Sequence, residues 1–150
     1  MRAAIAQWQD AWTWPRQAAR VKADKLHLTL HFLGEVAAVR IPELARELRL
    51  PFNAFALELG QPAIWPNGVA VLQPHATPAA LRNLHAALGA RLAGLDVSVE
   101  KRPYRPHITL ARRAHAAQPP PAGPALDWPV DDGYVLVRSA GSQYEVIERF

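Results

Sequence analysis

Two short stretches of the chain alternate apolar and polar residues with a period of two. Lys25 to Gly34 reads KLHLTLHFLG, with Leu26, Leu28 and Leu30 at every second position. Tyr104 to Arg113 reads YRPHITLARR, with Ile108 and Leu110 in the same relation. Alternate side chains of an extended strand share a face. The pattern predicts a strand over about 25–33, closed by Gly34, and a second one following the Arg-Pro-Tyr-Arg-Pro turn. Each lays an apolar face on a core and turns the other outward. The outward face carries His27 and Thr29 in the first copy, and His107 and Thr109 in the second.

Elsewhere the spacing changes to that of helices. Ile5, Trp8 and Trp12 mark a helix over 2–12 that Trp14-Pro15 ends, its tryptophans packing a core rather than stacking bases. Pro42 opens a second helix, to about Leu50, with Leu44 and Leu48 as its buried stripe and Pro51 as its stop. Thr77-Pro78, read as a capping side chain followed by a first-position proline, starts a third that runs to about Ala93. Leu81, Leu84, Leu88, Leu92 and Leu95 form one face of that helix, with His85 at its boundary. Further strands are expected over 52–60, 69–73 after a Pro-Asn-Gly turn, 96–101, 126–130, 134–141 and 144–150. The proline-rich stretch 116–124 is a surface loop. Three helices and up to eight short strands indicate an α+β chain of two similar lobes, with antiparallel sheets inside and helices outside.

The repeated His-x-Thr carries chemistry. An imidazole gives or takes a proton near neutral pH, and a threonine hydroxyl two positions along donates to an oxygen held nearby. Two such pairs around one phosphodiester supply a base, an acid and two donors for the non-bridging oxygens. One copy would read as a solvated sheet face. Two copies, each followed by leucine, with one 80-residue interval separating both the histidines and the threonines, point to a site.

HLTLHFLGEV and RPHITLAR resemble the signature segments of the two-histidine (2H) phosphoesterase superfamily, and within it the RNA 2′,3′-cyclic phosphodiesterases, also called 2′-5′ RNA ligases. The resemblance implies a bilobal fold of pseudo-two-fold symmetry, one domain over 1–150, with two antiparallel sheets facing a central groove. It implies His27 as proton donor to the leaving oxygen and His107 as base on water, with Thr29, Thr109 and Arg112 on the phosphate. Strand parity alone would put Arg113 on the His107 face, so Arg113 is held in reserve. Phe32 matches an aromatic near the nucleotide although its parity points it into the core. Tyr104 is a further candidate, and His31 reads as rim. Relatives begin with an apolar strand that is missing here, which predicts a monomer or a dimer through the exposed sheet edge.

The net charge of +4 favours anionic ligands, and Lys101, Arg102, Arg105, Arg112 and Arg113 bracket the second motif. No apolar run approaches the ~20 residues of a membrane span, and there is no cysteine for a disulfide or thiolate site. The expectation is a cytoplasmic enzyme without cofactor or metal. It would open RNA or small-nucleotide 2′,3′-cyclic phosphates to 2′-phosphates, and run 2′-5′ ligation as the reverse reaction. Two other readings remain: a non-catalytic RNA-end or nucleotide binder, and a metallohydrolase using His27, His31 and His107. The first is disfavoured by retention of all four motif residues, the second by the lack of an accompanying carboxylate.

Overall fold

The computed structural model describes residues 1–141 and 143–150. They form two compact units, which the chain enters alternately. One comprises 1–29, 56–77 and 104–128; the other 30–55, 78–103 and 129–150. Both His-x-Thr motifs belong to the first unit.

The first unit is built on an antiparallel sheet of five strands in the order β1-β4-β3-β2-β5. These are β1 (Ala19–Arg20), β2 (Phe55–Ile64), β3 (Ala70–Pro74), β4 (Ile108–Arg112) and β5 (Leu126–Val130). Leu57 and Leu59 of β2, Val71 and Leu72 of β3, and Ile108 and Leu110 of β4 are all buried. Helix α1 (Arg2–Asp10) buries Ile5 and, unexpectedly for a polar residue, Gln9. Gln9 Nε2 donates to the carbonyls of Val21 (3.0 Å) and Leu110 (2.7 Å), so its burial is offset by two hydrogen bonds. Trp12 stacks on Trp14 at 4.8 Å and meets Trp8 edge-on at 5.3 Å, as core packing requires.

The second unit holds α2 (Ile41–Glu47), α3 (Ala79–Gly94) and the hairpin of β6 (Val135–Ala140) with β7 (Gln143–Arg149). Its core joins Leu44 of α2 and Leu48 just past its end to Leu84, Leu88 and Leu92 of α3 and to Val97. The Tyr134 hydroxyl donates to the Leu48 carbonyl at 2.7 Å and accepts from the Leu50 N–H at 2.8 Å, tying the hairpin to the end of α2.

Three expectations are corrected. Residues 25–33 do not form a ladder strand. Ala23–Lys25 make a 3-10 turn that takes up chain between β1 and the motif, leaving a single bridge at Leu28. Beyond Thr29 the chain departs, and Leu30 and Leu33 pack into the second unit's core. Residues 96–101 alternate correctly, with Val97 buried and Val99 half-buried, but are not a strand. Asp96 is left-handed (φ 55°) and Val97 N–H bonds back to Leu92 O at 3.0 Å, folding the segment onto the end of α3. Finally, α3 begins at Ala79 with Pro78 as its N-cap, so that proline stands outside the helix and, though its carbonyl accepts from Arg82 N–H, supplies no side-chain cap. The remaining helix and strand expectations stand within a few residues, and the two sheets differ in size.

Candidate active site

Leu28 and Ile108 form an antiparallel bridge. Residues on either side of such a bridge stand next to one another on the same face. One step each way therefore sets Thr29 beside His107, and His27 beside Thr109. All four lie on the face opposite the buried Leu26, Ile108 and Leu110. His27 and Thr29 are exposed; His107 and Thr109 are half-buried. The two expected pairs are thus brought together, each histidine adjoining the threonine of the other motif. The Tyr104 hydroxyl donates to the Thr29 carbonyl at 3.3 Å, linking the second motif's lead-in to the end of the first. Burial pushes its phenol above the ordinary pKa, so it keeps the donated proton.

The histidines are held alike. Nδ1 of His27 lies 2.7 Å from the Lys25 carbonyl oxygen, and Nδ1 of His107 lies 2.7 Å from that of Arg105. A carbonyl oxygen only accepts, so each Nδ1 carries hydrogen and donates. Nε2 is then the nitrogen that takes a proton in the neutral ring, or gives one from the cation. Both rings are fixed in the tautomer that acid–base exchange with a ligand requires.

Arg112 reaches the same face by a bulge. On the early part of β4, Ile108 opposes Leu72 and Thr109 opposes Val71; then Ala111 opposes Ala70. One step on β3 thus matches two on β4, and Leu110 is the extra residue. Leu110 and Ala111 are both 0 % exposed, two consecutive residues turned to the core. The alternation is reversed past that point, so Arg112 rejoins the His107 and Thr109 side. Arg113, which parity alone favoured, instead takes a left-handed conformation (φ 55°) just after the strand ends. The Gln9 amide and the Val21 N–H both donate to the bulged residue's carbonyl.

Three residues near His107 escaped the sequence reading. The Trp65 ring lies 4.5 Å from the His107 ring, inclined at 60°. A turn holds it in place: Gly68 N–H bonds to Trp65 O at 2.8 Å, and Trp65 N–H to Val69 O at 2.9 Å. Gly68 is left-handed there (φ 76°), which glycine adopts at no steric cost. A large aromatic immediately before Pro-Asn-Gly was the available signal. Extending the β3–β4 register by one residue sets Gln73 beside His107, and Gln61 opposes Gln73 on β2. Thr29, His107, Gln73 and Gln61 thus form one polar row across the sheet.

Two candidates fare differently. Phe32 does not point into a core; it is 78 % exposed and belongs to the second unit, because no strand forms past the Leu28 bridge to set its parity. His31, also in the second unit, stacks on His85 at 4.0 Å, and its Nε2–H donates to the His85 carbonyl at 2.8 Å. Burial, with His31 beside it, lowers the His85 pKa to about 4. Among the described residues no group of three or more His, Asp or Glu side chains is placed to hold a metal ion. Among them, too, no helix is long and apolar enough to cross a membrane.

Comparison with known proteins bears on this arrangement. The family model of the 2′-5′ RNA ligase superfamily matches residues 2–141. An RNA 2′,3′-cyclic phosphodiesterase of Thermus thermophilus is 36 % identical over 153 aligned positions, covering 87 % of this chain and 73 % of the relative. The enzyme of the same name from Escherichia coli is 37 % identical over 132 positions, covering 85 % and 73 %. Among solved structures, E. coli LigT complexed with 3′-AMP superposes with a TM-score of 0.87 at 31 % identity, covering 99 % of this chain and 89 % of that one.

Proposed function

The chain belongs to the 2′-5′ RNA ligase superfamily, and from that membership and the pairing of its two motifs we propose that it hydrolyses RNA 2′,3′-cyclic phosphate ends to 2′-phosphates. The observation that carries the proposal is the Leu28–Ile108 bridge, which gathers two imidazoles and two hydroxyls on one face.

Both histidines would act through Nε2, and the family resemblance assigns His107 as base and His27 as acid. Water attacks phosphorus as His107 Nε2 takes its proton. The P–O3′ bond breaks, and the electron pair on O3′ takes a proton from His27 Nε2, leaving a 3′-hydroxyl and a 2′-phosphate. A five-membered cyclic ester holds the leaving oxygen opposite the entering one, which suits a base and an acid set apart. Thr29, Thr109 and Arg112 donate to the non-bridging oxygens, where negative charge grows. These residues supply both proton transfers and the charge stabilisation, so the reaction is proposed to need no metal. With a 5′-hydroxyl in place of water the same groups in the same roles would form a 2′-5′ linkage, and they would exchange roles when that linkage is cleaved back to the cyclic phosphate.

The test is turnover of an oligonucleotide ending in a 2′,3′-cyclic phosphate, with and without EDTA. A 2′-phosphate product formed at equal rates in both is expected. A 3′-phosphate product, or loss of turnover with EDTA, contradicts the proposal. Binding without turnover would favour the non-catalytic reading.

A further inference from the structure

Immediately before His107 the first unit opens a pocket of about 250 Å³, lined by Gln73, Pro74, Thr77, Tyr104, Arg105 and Pro106. It adjoins the proposed catalytic row at two points. Gln73 is the β3 neighbour of His107, and Tyr104 bonds to the Thr29 carbonyl. Its lining has no carboxylate, and its charged side chain is the Arg105 guanidinium. Gln73 and Thr77 add an amide and a hydroxyl, so the polar groups can all donate hydrogen bonds. Such a lining selects an anion. Arg105 precedes His107 by two residues, an extended-chain separation of about 7 Å. That is the scale of one sugar–phosphate unit of a nucleic-acid strand.

We propose that this pocket binds the phosphate on the 5′ side of the terminal nucleotide while the cyclic phosphate lies at His27 and His107. Arg105 supplies the countercharge and Gln73 a neutral donor. The inference rests on the proposed hydrolysis and goes beyond it. It makes the enzyme selective for ends that carry an upstream phosphate over cyclic mononucleosides. Gln73 stands between the two phosphates, beside His107 on one side and in the pocket wall on the other.

Three substrates isolate the effect: adenosine 2′,3′-cyclic phosphate, the same compound with a 5′-phosphate, and the dinucleotide ApA ending in a 2′,3′-cyclic phosphate. The 5′-phosphate alone should raise kcat/KM by about tenfold or more, the scale of a hydrogen bond to a charged group. In Arg105→Gln the ratio between the first two substrates should fall to about one, and rising salt should erode it in the native protein. Because each ratio is taken within one variant, a partly unfolded preparation does not distort it. A native ratio near one overturns the proposal, as does a gain seen only with the dinucleotide, which would give the pocket to a base. Should none of the three turn over, the hydrolytic reading fails on its own. Calorimetric binding of adenosine 5′-monophosphate against adenosine then decides the pocket: equal affinity overturns it, and a preference lost in Arg105→Gln supports it.

Discussion

Leu28 stands opposite Ile108 in an isolated antiparallel bridge, and that pairing turns both His-x-Thr motifs to one face. Antiparallel pairing carries its own local two-fold relation. Each histidine therefore meets the other motif's threonine, His27 beside Thr109 and His107 beside Thr29. Two imidazoles related in this way share one face, each with a hydroxyl next to it, as the proposed base and acid require.

Thr29→Val and Thr109→Val remove the hydroxyls and keep the branched shape. Each should cost roughly 1–3 kcal/mol of transition-state stabilisation, measured as kcat/KM on a cyclic-phosphate end, the size of a charge-assisted hydrogen bond. Unchanged values in both would leave the threonines with a structural role only.

Arg112 and Arg113 offer a sharper contrast, because they are neighbours of one residue type. The bulge at Leu110 returns Arg112 to the histidine face, while Arg113 lies past the strand end. Arg112→Gln should lower kcat/KM by about tenfold or more, and Arg113→Gln by far less. The reverse order would mean that the bulge does not set the face.

How far the chain could be read in advance divides along the same line. The faces of the two motifs follow from alternation alone, and His27, Thr29, His107 and Thr109 were legible for that reason. Their mutual placement was not, since it depends on which residue of one segment opposes which of the other. The resemblance points to Arg112 against its own parity; a one-residue bulge, which alternation does not announce, reconciles the two. Val97 and Val99 show the converse. Their alternation reports burial correctly, but burial on one side does not require a partner strand. Trp65, Gln61 and Gln73 are not legible in the sequence, because loop position and a polar strand residue look ordinary until the register is known.

Gln9 holds the bulged Leu110 carbonyl and that of Val21 from a site only 3 % exposed. Gln9→Leu keeps the bulk and removes both donors. It should destabilise the protein by about 1–3 kcal/mol in urea unfolding, the cost of leaving buried acceptors short of partners. A shift below a few tenths would show that water, with the Val21 N–H already on the Leu110 carbonyl, satisfies these acceptors without the amide.

His85 makes stability depend on pH. Its folded pKa, lowered by burial and by neighbouring His31 to about 4, lies below the ordinary 6.5. Between those values the unfolded chain binds the extra proton, so stability falls as pH drops from 6.5 toward 4. Melting temperatures across that window should decline less steeply in His85→Gln than in the native protein. Parallel curves would remove His85 from the account.

The central claim, that one pair of opposed histidines performs both proton transfers, is tested most directly by kcat/KM on a 2′,3′-cyclic-phosphate oligonucleotide for His27→Ala, His107→Ala and the double variant. Each single change should lower it by about 10²–10⁴, the scale of general acid–base catalysis. The double variant should lose far less than the product of the two, because the groups act in one step. Near-native activity in either single variant would contradict the account.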